Sequence, residues 1–177
     1  MRVIAGELGG RIFDSPHSHR THPMSDRVRG GLFNTLGDIV GLRVLDAFAG
    51  SGALSFEAVS RGAAPALAIE SDRAAQKQIE ANIETLGVED RVKLIKSSSN
   101  AWLTTSPGAE FDIILCDPPY DDLQPNLLVR LAERVAPDGL LVLSWPTAVE
   151  APSFKQCELV AARNYGNAQL YFFRKDA

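Results

Sequence analysis

From residue 42 onward the chain alternates short apolar runs with longer amphipathic stretches. The runs predict strands over 43–47, 66–70, 92–96, 111–117 and 139–144, with helices near 53–61, 73–86 and 123–136 between most of them. Gly62 and Gly87 stand where helix C-termini are expected. Such alternation implies right-handed crossovers and a parallel sheet with helices on both faces. The tail changes rhythm. Glu158-Leu159-Val160-Ala161-Ala162 and Gln169-Leu170-Tyr171-Phe172-Phe173, joined around Asn164-Tyr165-Gly166-Asn167, predict a closing antiparallel hairpin. The expected fold is therefore α/β, a mostly parallel seven-stranded sheet ending in an antiparallel pair.

Upstream, Val3-Ile4-Ala5 and Arg11-Ile12-Phe13 flank a glycine turn and suggest a short hairpin. Residues 14–24 are polar and proline-punctuated, and read as a mobile loop. Ser25 offers a cap for a helix whose apolar stripe is Val28, Leu32, Phe33 and Leu36. No repeat or linker divides the chain. One domain over 1–177 is expected, with 1–36 as an N-terminal appendage on a core at 42–177.

Composition narrows the class. A chain of 177 residues, 45% hydrophobic and 23% charged, suits one globular domain, and no apolar stretch approaches the ~20 residues of a membrane helix. A soluble protein with no membrane partner is expected. The start, Met1-Arg2-Val3-Ile4-Ala5-Gly6, lacks the apolar core of a secretory signal, which points to the cytoplasm. Cys116 and Cys157 have no metal-like spacing and read as spectator thiols, so no metal is expected. The net charge of −4 is unevenly spread: Arg2, Arg11, Arg20, Arg27 and Arg29 outnumber Glu7, Asp14 and Asp26 in the first 36 residues. That basic end suits either local contact with nucleic acid or an ordinary solvated surface.

Two motifs carry chemistry. Asp117-Pro118-Pro119-Tyr120 follows the apolar run Ile113-Ile114-Leu115-Cys116, so a carboxylate, a rigid bend and an aromatic face meet at one strand end. The prolines forbid helix and remove two donors, leaving local carbonyls free to accept from an arriving NH2 group. Val44-Leu45-Asp46-Ala47-Phe48-Ala49-Gly50-Ser51-Gly52 is a second strand ending in a carboxylate and a glycine turn. In open α/β sheets both would face one crevice beyond the carboxyl strand ends. The glycine turn nearly matches a dinucleotide pattern, with Ser55 in place of the third glycine, yet Asp46 would repel a pyrophosphate. A zwitterion fits better, its ammonium on Asp46 and its carboxylate on turn N–H groups, and S-adenosylmethionine supplies that moiety. Glu70, at the next strand end, suits a ribose diol or is a solvated charge.

An exocyclic amine on a base is a poor nucleophile because its lone pair is delocalised. Hydrogen bonds to the Asp117 carboxylate and the Pro118 carbonyl would favour a more reactive nitrogen, so the task is alignment and needs no metal. Tyr120 would stack on the target base, which must be single-stranded or flipped; otherwise Tyr120 is a core aromatic.

These residues resemble the Rossmann-like class I methyltransferases that depend on S-adenosylmethionine and carry a DPPY-type amine motif. More narrowly, the chain resembles the RsmD family of bacterial 16S ribosomal RNA guanine-N2 methyltransferases. The likeness runs through Arg2-Val3-Ile4-Ala5-Gly6, Gly10-Arg11, Pro23-Met24-Ser25-Asp26-Arg27-Val28-Arg29, Leu32-Phe33-Asn34-Thr35-Leu36, Leu45 to Leu54, Glu57-Ala58-Val59-Ser60-Arg61-Gly62-Ala63 and Asp117 to Tyr120. It implies cofactor contacts at Asp46, Phe48, Ala49, Gly50, Gly52, Glu70, Ser71 and Ser98, and a catalytic clamp at Asp117, Pro118, Pro119 and Tyr120. It also implies an rRNA partner, within the small ribosomal subunit or an assembly intermediate, touched by Arg2, Arg11, Arg27 and Arg29 of a monomer. His22 stands where the family usually has arginine, and Gly30 where it has glutamate. Ser98 replaces a common aspartate that reads the adenine amine, so somewhat weaker cofactor affinity is expected. A DNA adenine-N6 methyltransferase, a non-catalytic RNA-binding or assembly protein and a dehydrogenase are the rival readings.

Overall fold

The computed structural model describes residues 1–15 and 23–177. Most of the loop expected over 14–24, with His22, lies outside the described residues. The elements run α1 (Asp26–Leu36), β1 (Val44–Asp46), α2 (Ala53–Ser60), β2 (Ala66–Glu70), α3 (Arg73–Leu86), β3 (Val92–Lys96), α4 (Ser99–Thr105), β4 (Phe111–Cys116), α5 (Pro125–Ala132), β5 (Val135–Pro146), β6 (Cys157–Asn164) and β7 (Ala168–Lys175).

The seven strands form one sheet in the order β3-β2-β1-β4-β5-β7-β6. Strands β1 to β5 run parallel to one another, while β7 runs antiparallel to both β5 and β6. Side chains alternate across the pleat. Ile113 and Leu115 of β4 pack with Phe33, Phe56 and Val59 on one face, and Ile114 and Cys116 pack with Leu128, Leu131 and Trp145 on the other. This is the Rossmann-like arrangement. The chain starts at the sheet centre with β1, builds outward to β3 and returns to β4 on the other side of β1. The strand order therefore reverses between β1 and β4, where α/β sheets open a crevice at their carboxyl edge.

Three elements depart from the sequence pattern. Helix α5 spans Pro125–Ala132 rather than 123–136, because Gln124 has a left-handed backbone (φ 49°) before Pro125, and Val135 already pairs with Phe111. Strand β5 consequently starts at Val135 and absorbs an irregularity at Pro137-Asp138-Gly139. A Cβ at Gly139 would meet the Asp112 carbonyl oxygen at 2.8 Å, which restricts that position to glycine. Helix α4 was not anticipated at all. Ser98 caps it by accepting from Ala101 N at 3.2 Å, and Trp102 and Leu103 anchor it in the core.

The N-terminal hairpin forms, with an Arg2–Ile12 bridge and Val3 N donating to Arg11 O at 2.9 Å. It docks on α2. The Glu57 carboxylate accepts from Ile4 N at 2.7 Å and Ala5 N at 3.1 Å. Ser60 Oγ accepts from Leu8 N at 2.9 Å and donates to Ala5 O at 2.6 Å. Gly6 (φ 81°) touches this joint so closely that a Cβ would lie 1.9 Å from Ser60 O. Val3, Leu8 and Phe13 enter the same apolar cluster as Phe56 and Val59.

Candidate functional site

The loops after β1 and β4 meet in an open cleft of about 1240 Å³ at the carboxyl edge of the sheet. Register places them side by side: Asp46 lies opposite Leu115, and Ala47 N donates to Leu115 O at 3.0 Å. Phe48, Ala49, Gly50, Glu70, Ser71 and Ser98 line one part of the cleft, and Asp117, Pro118, Pro119 and Tyr120 another.

The glycine turn is held from β2. Glu70 accepts from Gly50 N through Oε2 and from Asp72 N through Oε1, both at 2.7 Å. Gly50 and Gly52 are left-handed, with φ 54° and 80°. A Cβ at Gly52 would press on the Phe56 ring at 2.7 Å, so this glycine lets α2 close against the turn. On the β4 side, Pro119 O accepts from Asp122 N at 2.9 Å. Among the described residues the Pro118 carbonyl receives no hydrogen bond. Tyr120 is 41% exposed, and its hydroxyl lies 3.1 Å from Ser144 Oγ.

Charge concentrates beneath this surface. Asp46 is fully buried, and burial pushes its carboxyl up to about 7 against the hydrogen bond from Ser55, with the Asp117 and Glu70 charges adding to the rise. Ser55 Oγ donates to Asp46 Oδ2 at 2.8 Å, while Oδ1 has no partner. Burial also raises Asp117, to about 6, opposed by its hydrogen bond to Ser144. No ion pair among the described residues neutralises Asp46, Glu70 or Asp117. Three converging carboxylates without a cation, one holding an orphaned oxygen, favour a positively charged ligand.

Several of the expected cofactor contacts are also engaged within the protein. Asp46 is fully buried behind the cleft lining, held by Ser55 of α2, so its charge reaches the cleft from below. Gly52 shapes the turn rather than lining the cleft. Glu70 already accepts two backbone N–H groups, and the Ser98 hydroxyl caps α4.

The four arginines do not form one patch, and none lines the cleft. Arg29, expected at an RNA surface, is fully buried. It donates to Met24 O, Arg2 O and Asp26, and its Nε lies 3.9 Å from Glu57 Oε2. It is a structural cation because α1 packs it between the hairpin and α2. Arg11 spans the end of α3, donating to Thr85 O and Leu86 O at 2.7 Å each. Arg2 pairs with Asp26 at 2.9 Å and remains exposed, as does Arg27.

The sequence pattern did not single out Ser144 or the β6–β7 connection, where Tyr165 and Asn167 of the turn and Ala168 at the start of β7 line the cleft together with Pro23, Met24 and Val28. Ser144 had a usable signal. It is the polar residue after the apolar run of β5, the same pattern that singled out Asp46, Glu70 and Asp117. The β6–β7 turn had none, since its approach to α1 depends on Tyr165 reaching Gly31 across the fold. Among the described residues no His, Cys, Asp and Glu cluster could hold a metal ion, and no helix is long and apolar enough to cross a membrane.

Residues 1–174 match the family model described as conserved hypothetical protein 95. The chain is 41% identical over 121 residues to "Ribosomal RNA small subunit methyltransferase D" of Escherichia coli, covering 68% of this chain and 60% of that protein. It thus spans less than two thirds of that relative's length. It is 32% identical over 183 residues to "Putative rRNA methyltransferase YlbH" of Bacillus subtilis, covering 99% of each. The solved structure titled "Putative methyltransferase yhhF from Escherichia coli" superposes with a TM-score of 0.90 at 32% identity, over 100% of this chain and 98% of that one.

Proposed function

Because the chain belongs to the conserved hypothetical protein 95 family, the RsmD family, we propose that it transfers a methyl group from S-adenosylmethionine to the exocyclic N2 amine of a guanine in small-subunit rRNA. The observation that carries this proposal is the shared cleft: an amine clamp after β4 and a glycine turn after β1 flank the point where strand order reverses. Phe48, Ala49, Gly50, Glu70, Ser71 and Ser98 would hold the cofactor, and the uncompensated carboxylates beneath them suit its positive charge. When bound, S-adenosylmethionine supplies an activated methyl group on a sulfonium.

The protein's own residues do the positioning. The Asp117 carboxylate and the unengaged Pro118 carbonyl accept the two amine hydrogens, which draws the nitrogen lone pair out of conjugation. Tyr120 offers its exposed ring as a stacking platform worth ~1–3 kcal/mol. A paired base cannot reach the cleft, so the guanine must be unstacked. Fixing amine and donor together removes much of the entropic barrier of a bimolecular encounter. Residues 1–36 and 42–177 act as one unit through the Glu57 and Ser60 joint, and Arg2 and Arg27 remain for contact with the RNA backbone.

The test is methylation with radiolabelled cofactor of small ribosomal subunits and of duplex DNA, followed by nucleoside chromatography. Label in N2-methylguanosine from the subunits is expected. Label in DNA alone, or in N6-methyladenosine, would overturn the substrate assignment.

A further inference from the structure

Ser144 ends the apolar run of β5 beside the amine clamp. Cys116 pairs with Leu143, so Asp117 and Ser144 stand next to each other at adjoining strand ends. Ser144 is 4% exposed yet lines the cleft, and its Oγ lies 3.1 Å from the Tyr120 hydroxyl. The Asp117 carboxyl group is its other polar neighbour, and the hydroxyl opposes the rise that burial gives that carboxyl. A hydroxyl carries one proton and two lone pairs. Turned towards an ionised carboxylate it can only donate, which leaves a lone pair to accept the Tyr120 proton.

We propose that Ser144 is the positioning residue of the amine clamp, joining Tyr120 and Asp117 in one hydrogen-bonded chain that fixes the stacking ring relative to the accepting carboxylate. The proposal rests on the function assigned above. Without Ser144 the ring and the carboxylate, three residues apart on a proline-stiffened loop, share no direct link among the described residues. Burial works against an ionised Asp117, and Ser144 is the group that favours it. The other titratable groups around Asp117 are Asp46 at the end of β1 with Glu70 beyond it, Cys116 on β4, and Tyr120 on the loop, where Asp121 and Asp122 line the same cleft. Among the described residues none of these is a cation, and Ser144 is the one group that lowers the Asp117 carboxyl.

The test is a carbon-detected NMR titration of the Asp117 carboxyl in the ligand-free protein. Ser144→Ala is expected to raise its midpoint by about one pH unit, and Ser144→Thr, which keeps the hydroxyl, to restore it. Tyr120→Phe approaches the chain from its exposed end, without threatening the fold, and should raise the midpoint by less. An unchanged midpoint in Ser144→Ala, or identical titrations for the alanine and threonine variants, overturns the proposal. Should Ser144→Ala not fold, an unchanged midpoint in Tyr120→Phe does the same. In turnover, Ser144→Ala should lower kcat about tenfold with KM little changed. Because the titration involves no substrate, a midpoint that moves in a protein that does not methylate RNA would sink the functional assignment and leave this chain of contacts standing.

Discussion

Replacing Glu57 with glutamine preserves the shape of a buried side chain and removes its charge. Oε1 accepts from Ala5 N at 3.1 Å and Arg61 Nε at 2.7 Å; Oε2 accepts from Ile4 N at 2.7 Å and stands 3.9 Å from Arg29 Nε. An amide has a single oxygen, so whichever way it turns, its NH2 group faces donors. Arg29 would then keep a fully buried charge with Asp26, 44% exposed, as its remaining carboxylate partner. Removing one partner from a buried ion pair costs about 3–5 kcal/mol, a large share of the ~5–15 kcal/mol that holds a domain folded. At ~2–4 °C per kcal/mol for a chain of this size, the melting midpoint should fall by about 10 °C. Urea unfolding followed by circular dichroism, with an unchanged slope against denaturant, measures the loss directly. A loss below about 1 kcal/mol would refute the view that this carboxylate joins the hairpin and α1 to the core.

Gly6→Ala attacks the same joint through space, since its methyl group would lie 1.9 Å from Ser60 O at φ 81°; a loss of about 2–4 kcal/mol in urea is expected, and wild-type stability would contradict the close approach. Asp46 has a folded pKa of about 7 against an ordinary value of 3.8, so protonation favours the native state. Its contribution is full below about pH 4 and is lost as pH rises through 7, and in Asp46→Asn the decline in urea midpoint over that window should shrink, an equal decline counting against burial as its cause. Ser98→Asp keeps a good helix cap and adds charge assistance towards an adenine amine; calorimetry should show tighter S-adenosylmethionine binding without loss of stability, and weaker binding would remove Ser98 from the adenine contact.

The strand-helix alternation from residue 42 was legible because each element carries its own period, and the strands that bear Asp46, Glu70 and Asp117 end in polar residues that cannot stay in an apolar run. Helix α4 escaped because seven residues hold too little periodicity, and its anchors Trp102 and Leu103 are adjacent rather than a turn apart. The end of α5 and start of β5 were misplaced because Val135 and Ala136 suit either element, and pairing with β4 decides. In the site, motif positions were readable but burial was not. Arg29 and Arg27 look equivalent in sequence, yet helical geometry sends one into the core and the other to solvent. Asp46 precedes the glycine turn in sequence, but its full burial comes from tertiary packing around the Ser55 hydrogen bond, which no local pattern displays.

The most direct test of an amine clamp facing the cofactor's cleft is Asp117→Ala, with methyl incorporation into small-subunit rRNA and cofactor affinity measured on the same preparation. The arrangement of the cleft calls for turnover to be nearly abolished while S-adenosylmethionine binds within a few-fold of wild type. Undiminished methylation by the alanine variant would contradict it.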